Sequence, residues 1–258
     1  MLTYQKHKKF ANGLVYALHT EDGLPIETTD TFLPEYTRLA IGRHSNEVLD
    51  TNDYGSRAER WMIGVSVMSG CPVRCKFCAT GQLKKYRNLT AAEIFEQYTF
   101  IACQNEEVFA DAKEHKINYT RMGEPFLNLA NVREAIKLIE ADAPGTHHYV
   151  STIGIKGSDF TWIDGNITLQ VSLHSCITGR RDDLIPFKNK MSIEELGQIR
   201  TTSQLKTTLN MTLVDELDFN IDVLKRYFPK ENFFIKLSPI NTNCISEANG
   251  LGAGFMAQ

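Results

Sequence analysis

A chain of 258 residues is long enough for one large α/β domain and leaves little room for a second full one. Its 28 lysines and arginines stand against 31 aspartates and glutamates, a formal net charge of −3. No global positive field therefore recruits a polyanion, and any such partner has to be held by a local patch. A hydrophobic fraction of 42% and a charged fraction of 23% are ordinary for a soluble globular protein. No apolar run reaches the length of a membrane span, and the opening MLTYQKHKKF lacks the apolar centre of a signal peptide. The expected compartment is the reducing cytoplasm, with no membrane partner.

Residues 1–60 read as a small β extension. LVYALHT and TFLPEY flank the turn-rich EDGLP, which predicts a hairpin built on Asp22-Gly23, and TRLAIGRH and NEVLD add further β material. The cluster Lys6, His7, Lys8, Lys9 reads as a solvated terminus. From Trp61 onward short β-rich segments alternate with helical ones, the signature of βα units and a parallel sheet. WMIGVSVMS is the first strand. LTAAEIFEQYTFIACQNE is a helix in which Thr90, three residues before Glu93, makes a capping box. KINYTRM is strand two, NVREAIKLIEAD a helix and HHYVSTIGI strand three, followed by a short irregular or helical piece over 158–163. NITLQVSLH is strand four, MSIEELGQIRTT helical, LKTTLNMTLV strand five, IDVLKRYF helical and NFFIKLSPI strand six. Six such units fall short of the eight of a closed barrel. The expected fold is a partial (β/α)6 TIM-like barrel over 61–241, with a C-terminal tail over 242–258.

The chemistry concentrates at Gly70 to Gly81, GCPVRCKFCATG, where Cys71, Cys75 and Cys78 make a CxxxCxxC spacing. Three thiols flanked by glycines, a proline, Arg74 and Lys76 do not read as packed core, and an odd number of cysteines makes no disulfide framework. They read as a metal centre. A tetrahedral zinc site draws its ligands from two separated pairs, and no Cys or His partner lies near. An iron-sulfur cube fits better, because three ligands on a 4Fe-4S cluster leave one iron open. S-adenosylmethionine (SAM) is the molecule that fills that corner and is cleaved there by one electron, which makes the protein a radical enzyme.

In an open α/β sheet the site lies at the C-terminal ends of the strands. That rule singles out Gly123, Glu124 and Pro125 after strand two, Ser151 and Thr152 on strand three, Ser172 and His174 on strand four, and Asn241 after strand six. A turn and carboxylate at Gly123-Glu124 suit the ammonium of SAM, and hydroxyl, imidazole and amide groups suit its ribose and carboxylate. For each residue alone, a satisfied buried polar group is an equal reading.

The pieces GCPVRCKFCATG, RNLTAAEI, RMGEPFLN, VSTIGI, VSLH, LIPFKNK and LSPIN, spread from Trp61 to Asn241, resemble in order the RlmN/Cfr radical-SAM RNA methyltransferases. That family modifies adenine at C2 or C8. The resemblance implies a cluster on Cys71, Cys75 and Cys78 and SAM contacts at Gly123, Glu124, Ser151, Ser172, Leu173, His174 and Asn241. It also matches Glu47, at a different spacing, to a carboxylate upstream of the cluster loop. The chain departs from the family in two places. The resolving cysteine expected seven residues before Cys71 is Gly64, and the chain ends at Gln258, before the extension expected to carry the transferred methyl group. The helical domain that precedes the family's barrel is also replaced by the sixty β-like residues. Of the spare cysteines, Cys103 reads as core packing, while Cys176 and Cys244 are the candidates to reach the site as substitute thiols, each with an inert thiol as the bland alternative.

The leading expectation is a radical-SAM enzyme that forms methionine and a 5′-deoxyadenosyl radical and abstracts hydrogen from a substrate. A reducing partner such as a flavodoxin or ferredoxin supplies the electron. A nucleotide or RNA substrate is favoured by the resemblance and by Lys84, Lys85 and Arg87 beside the loop, and opposed by the acidic balance. Two alternatives stand beside it: an RNA adenine methyltransferase using a cysteine from an unusual place, and a cluster protein that binds SAM or RNA without turnover.

Overall fold

The computed structural model describes residues 1–34, 54–106, 112–213 and 215–252. TRLAIGRH, NEVLD and Glu47 fall outside them. The chain packs as two units. The first is Met1–Val67, Leu89–Met122 and Ala130–His148; the second is Met68–Asn88, Gly123–Leu129 and Tyr149–Gln258.

The first unit begins with an antiparallel ribbon of β1 (Thr3–Phe10), β2 (Gly13–His19) and β3 (Pro25–Phe32). The expected hairpin is β2–β3. Its turn closes on Gly23 at φ +78, with Thr20 Oγ1 donating to Asp22 Oδ1 at 2.6 Å. Here β3 pairs antiparallel with β4 (Trp61–Val65), and β4 pairs in parallel with β7 (His115–Tyr119), so the sheet changes direction at β4. The helix α1 (Ala91–Ala102) carries the predicted capping box: Thr90 Oγ1 accepts from the Glu93 amide, and Glu93 Oε2 accepts from the Thr90 amide. Its buried face, Ile94, Tyr98 and Ile101, and that of α2 (Leu129–Asp142), Val132, Ala135, Ile136 and Ile139, form this unit's core with Ile63, Val65 and Ile117. Each fully buried aliphatic side chain contributes roughly 1.5–3 kcal/mol.

Strand one of the sequence reading is interrupted. WMIGVSVMS splits into β4 and the two-residue β5 (Met68–Ser69), and the amide of Ser66 and its carbonyl are both taken by the buried side chain of Gln97, at 2.8 and 2.9 Å. A glutamine amide offers one donor and one acceptor in the geometry of a neighbouring strand, so it replaces the missing ladder bonds.

The second unit holds β5 paired with β6 (Arg87–Asn88), and the strands β8 (His147–Thr152, whose first two residues belong to the first unit), β9 (Ile167–Ser172), β10 (Thr207–Leu213) and β11 (Phe233–Pro239), with β10 parallel to both its neighbours. Between them run α3 (Thr178–Leu184), α4 (Ile193–Gly197) and α5 (Ile221–Tyr227), and α6 (Cys244–Ala248) follows β11. Val150, Leu169, Val171, Leu209 and Met211 fill the core from the sheet. All six expected parallel strands are present. The chain is an α/β protein with a large, mostly parallel sheet that none of the described strands closes into a barrel. The helix α3 was not expected from sequence: Ile177 at its N-cap offers no side-chain acceptor, and its seven residues show no clear helical period. No described helix is long and apolar enough to cross a membrane.

Asp30 sets the packing of the ribbon against β4. It is 1% exposed, takes Arg57 Nε and Nη2 at 2.9 and 2.7 Å and accepts from Trp61 Nε1 at 2.8 Å. Removing one partner of such a pair leaves the other charge desolvated. Asp30→Ala is expected to lower the free energy of unfolding by about 3 kcal/mol, measured by chemical denaturation.

Candidate active site

The cysteine loop leaves β5 through Gly70, whose φ is +72 and where a Cβ would stand 2.6 Å from the carbonyl oxygen of Lys85. A second left-handed residue, Arg74 at φ +57, turns the chain between Cys71 and Cys75, and Gly81 packs directly on it: a Cβ at Gly81 would lie 2.7 Å from Arg74 Cα. Non-glycine residues adopt this region only when their surroundings hold them there. Those surroundings come from far along the chain. The Lys76 amide donates to the Leu184 carbonyl at the end of α3 at 3.0 Å, and Lys76 Nζ pairs with Asp183. Asn243 Nδ2 donates to the Phe77 carbonyl at 3.0 Å, and Asn249 Nδ2 to the Lys76 carbonyl at 2.9 Å. Asn243 is also the N-cap of α6, its Oδ1 accepting from the amides of Ile245 and Ser246.

Burial pushes the Cys71 thiol up to about 12, with the amides of Val73 and Arg74 pulling the other way and the charges of Glu124 and Cys78 adding to the rise. The Cys75 thiol is also raised by burial, then by Cys78, Cys71 and Glu124. The charges of Glu124 and Cys78 thus reach both raised thiols. Among the described residues, no three Cys, His, Asp or Glu side chains sit close enough to share a single metal ion.

Gly123 precedes Glu124 at φ +102, and a Cβ there would meet Met68 Cβ and Cγ at 2.6 Å, so only glycine brings this turn against β5. Glu124 is 3% exposed. Its Oε1 accepts from the Phe126 amide at 3.1 Å and its Oε2 from the Ile153 amide at 2.9 Å. The Thr152 hydroxyl also favours its charged form, yet burial outweighs these bonds and raises the carboxyl to about 7. A carboxylate has about four lone-pair sites, so capacity remains for a further donor.

His174 is a non-glycine residue at φ +61 following Leu173, whose side chain is fully buried. Its Nδ1 accepts from the Thr212 amide at 3.1 Å, which assigns the ring proton to Nε2, and its ring meets Phe77 edge-on at 5.0 Å between centroids. Burial, reinforced by the charge of Arg181, lowers its pKa to about 3, so it is a neutral donor at any physiological pH. Ser151 is half-buried, its Oγ donating to Gln170 Oε1 at 3.0 Å, and Asn210 Nδ2 donates to the same oxygen at 3.1 Å. Ser172 is half-buried at the end of β9 and Asn241 is exposed after β11. The cysteine loop, Gly123, Glu124, Ser151, Ser172, Leu173, His174 and Asn241 all belong to the second unit.

Cys103 is exposed at the end of α1, not in the core as expected, because it falls one residue past the helix's buried stripe. Cys176 is buried, with its thiol raised by burial. Cys244 is exposed at the first turn of α6. Gly64 has no room for a thiol as packed: a Cβ there would stand 2.3 Å from Thr29 Oγ1 and 2.9 Å from Arg121 Cδ. The sequence reading singled out Thr152, whose hydroxyl meets Glu124, but passed over Asn243 and Asn249. For Asn243, the signal available was its spacing from Ser246, an Asn N-cap pattern inside a segment read as tail.

Asn243→Asp keeps the cap oxygen and removes the amide donor. Amide exchange in the cysteine loop of this variant is expected to quicken roughly fivefold to tenfold, the worth of one lost hydrogen bond, measured by hydrogen-exchange mass spectrometry. Glu124 predicts a pH dependence. A carboxyl held near 7 in the folded state and near 4.5 when unfolded binds its proton more tightly when folded. Its stabilising effect is therefore full below about 4.5 and is lost as pH rises through 7. Between pH 4.5 and 8 the cluster-free protein is expected to lose about 3 kcal/mol more stability than Glu124→Gln, read from denaturation midpoints.

No protein-family model matches the chain. It is 29% identical over 232 residues to the "Probable dual-specificity RNA methyltransferase RlmN" of Chlorobium phaeobacteroides, covering 85% of this chain and 64% of that protein. It is 33% identical over 190 residues to the protein of the same name from Thermosipho melanesiensis, covering 69% of this chain and 54% of that one. The chain therefore spans just over half to just under two thirds of the length of these relatives. Among solved structures, a radical SAM methyltransferase from Sphaerobacter thermophilus superposes with a TM-score of 0.66 at 24% identity, over 93% of this chain and 67% of that one, which shows a shared fold. With the cysteine loop and these matches in agreement, the chain is an RlmN/Cfr-like family member.

Proposed function

We propose that this chain is a radical-SAM enzyme that acts on RNA or a nucleotide, with a 4Fe-4S cluster on Cys71, Cys75 and Cys78 and SAM held by the second unit. The observation that carries the reading is a loop of three thiols, clamped by α3 and α6, in the same unit as a buried carboxyl that still has acceptor capacity. A cluster held by Cys71, Cys75 and Cys78 would supply one-electron reduction of SAM, with electrons from a reduced donor such as a flavodoxin or ferredoxin, for hydrogen abstraction from the substrate.

The chain's own residues bind and orient. Glu124 accepts the ammonium of SAM and is drawn to its ionised form by that charge, a bond worth roughly 1.5–3 kcal/mol. His174 offers its Nε2 proton to the carboxylate without adding charge. Ser151, Ser172 and Asn241 supply neutral donors and acceptors for the ribose and adenine, and the backbone at Gly123 and Leu173 lines the same contacts. Buried surroundings strengthen each of these bonds relative to water. Support for an RNA substrate comes from the names of the relatives, which are RNA methyltransferases.

Those names also favour a second reading, methyl transfer to RNA adenine through a protein cysteine. Gly64 has no thiol, the Cys176 thiol is buried and raised, and Cys244 is exposed. Methyl transfer within this chain would fall to Cys176 or Cys244. The discriminating experiment is anaerobic reconstitution with iron and sulfide, followed by SAM and dithionite. The expected products are 5′-deoxyadenosine and methionine, with no gain of one methyl mass on the protein and no S-adenosylhomocysteine. Alanine at any of Cys71, Cys75 or Cys78 is expected to abolish both iron retention and product. A methylated cysteine establishes the second reading, and stoichiometric zinc without iron refutes both.

A further inference from the structure

The second unit contains a cavity of about 530 Å³ that the SAM contacts do not use. Its lining includes Lys156, Arg181, Asp182, Phe187, Lys188 and Lys190, four cations to one carboxylate. The frame is built, not accidental. The loop after β8 is bridged to the loop after α3: the Lys156 amide donates to the Asn189 carbonyl at 3.0 Å, the Met191 amide donates to the Gly154 carbonyl at 2.8 Å, and Ile155 pairs with Lys190 in an isolated antiparallel bridge.

Arg181, on α3, is 2% exposed. Its Nη1 donates to the Met191 carbonyl at 2.9 Å and its Nη2 to the Ile153 carbonyl at 2.7 Å, so both carbonyls belong to the two loops that frame the cavity. No carboxylate pairs with it among the described residues, and its Nε has no acceptor. Two of the surrounding cations have carboxylate partners, Lys190 with Asp182 at 2.6 Å and Lys156 with the half-buried Glu195 at 3.7 Å. Lys188 is exposed beside them. Asp182, already paired with Lys190, acts on the Arg181 guanidinium, yet burial outweighs it, and an anion in the adjoining cavity offsets the desolvation that remains. A planar guanidinium with lysines around it is the donor set for phosphate oxygens. Cavities of about 300–1,000 Å³ hold small organic ligands, and Phe187 at the wall offers an apolar ring on which a base can stack.

We propose that this cavity binds a phosphate-bearing nucleotide unit of the substrate strand, with Lys156 and Lys188 contacting phosphate and Arg181 fixing the two loops that shape the site. The proposal rests on the RNA reading above. It places strand recognition in a basic patch of an otherwise acidic chain, with Arg181 close enough for its charge to reach His174.

The test measures binding of a fluorescein-labelled single-stranded RNA by anisotropy between 50 and 300 mM KCl, using reconstituted wild type and the double variant Lys156→Gln/Lys188→Gln. Both side chains are exposed, and circular dichroism checks that the variant folds. Two lost phosphate contacts are expected to reduce the slope of log K against log[salt] by about 1.4. An unchanged slope overturns the proposal. In parallel, adenosine monophosphate and inorganic phosphate are titrated against both proteins with thermal stability as readout. If wild type binds no RNA yet either phosphate raises its melting temperature and not the variant's, the phosphate site stands and the RNA reading falls. If RNA and both phosphates fail to discriminate the two proteins, the site is refuted.

Discussion

The cysteine loop from Gly70 to Gly81 has almost no regular structure with which to satisfy its own peptide groups, and it must nonetheless hold three thiols at fixed positions. Two left-handed residues, Gly70 and Arg74, set its path. Its outward carbonyls and amides are then taken by groups that arrive late in the chain: the C-terminal carbonyl of α3, and the side-chain amides of Asn243 and Asn249. Because a buried unpaired peptide group costs about as much as a lost hydrogen bond, the loop and these partners order one another. The cysteines are therefore positioned by the whole second unit and not by their local sequence.

Around that loop the ionisable groups are poised by burial. Glu124 sits near 7 and His174 near 3, although both are surrounded by hydrogen-bond partners. Desolvation dominates both shifts, in opposite directions for an acid and a base, and both are driven toward the neutral form. The site thus carries little fixed negative charge before a cation arrives. A cationic ligand then restores the charge of Glu124 in a place where water does not compete.

The ribbon and its junction with β4 follow a different logic. Asp30, Arg57 and Trp61 form a closed polar group inside the first unit, and Gln97 replaces ladder bonds where the strand after β4 breaks at Ser66. Both devices let a strand edge be buried without orphaned polar atoms. The break at Ser66 matters, because it is what ends β4 and starts the short β5 that leads directly into the cysteines.

Much of this was legible in the amino-acid sequence. The CxxxCxxC spacing, the six parallel strands, the hairpin at Asp22-Gly23 and the Thr90 capping box are all encoded within a few residues, by ligand spacing, alternation and turn chemistry. The glycine at 64 is equally plain to read. The tertiary structure alone decided the rest. It placed α3, a helix without a cap signal whose end holds Lys76; it exposed Cys103 and buried Cys176; it brought Asn243, in a segment read as tail, onto Phe77; and it buried Arg181 beside a cavity with its Nε lacking an acceptor. The physical reason is separation along the chain. The bonds from Asn243 and Asn249 to the loop span 166 and 173 residues, and burial, which sets the charge of Glu124, His174 and Arg181, is a property of the folded surroundings that no local window contains.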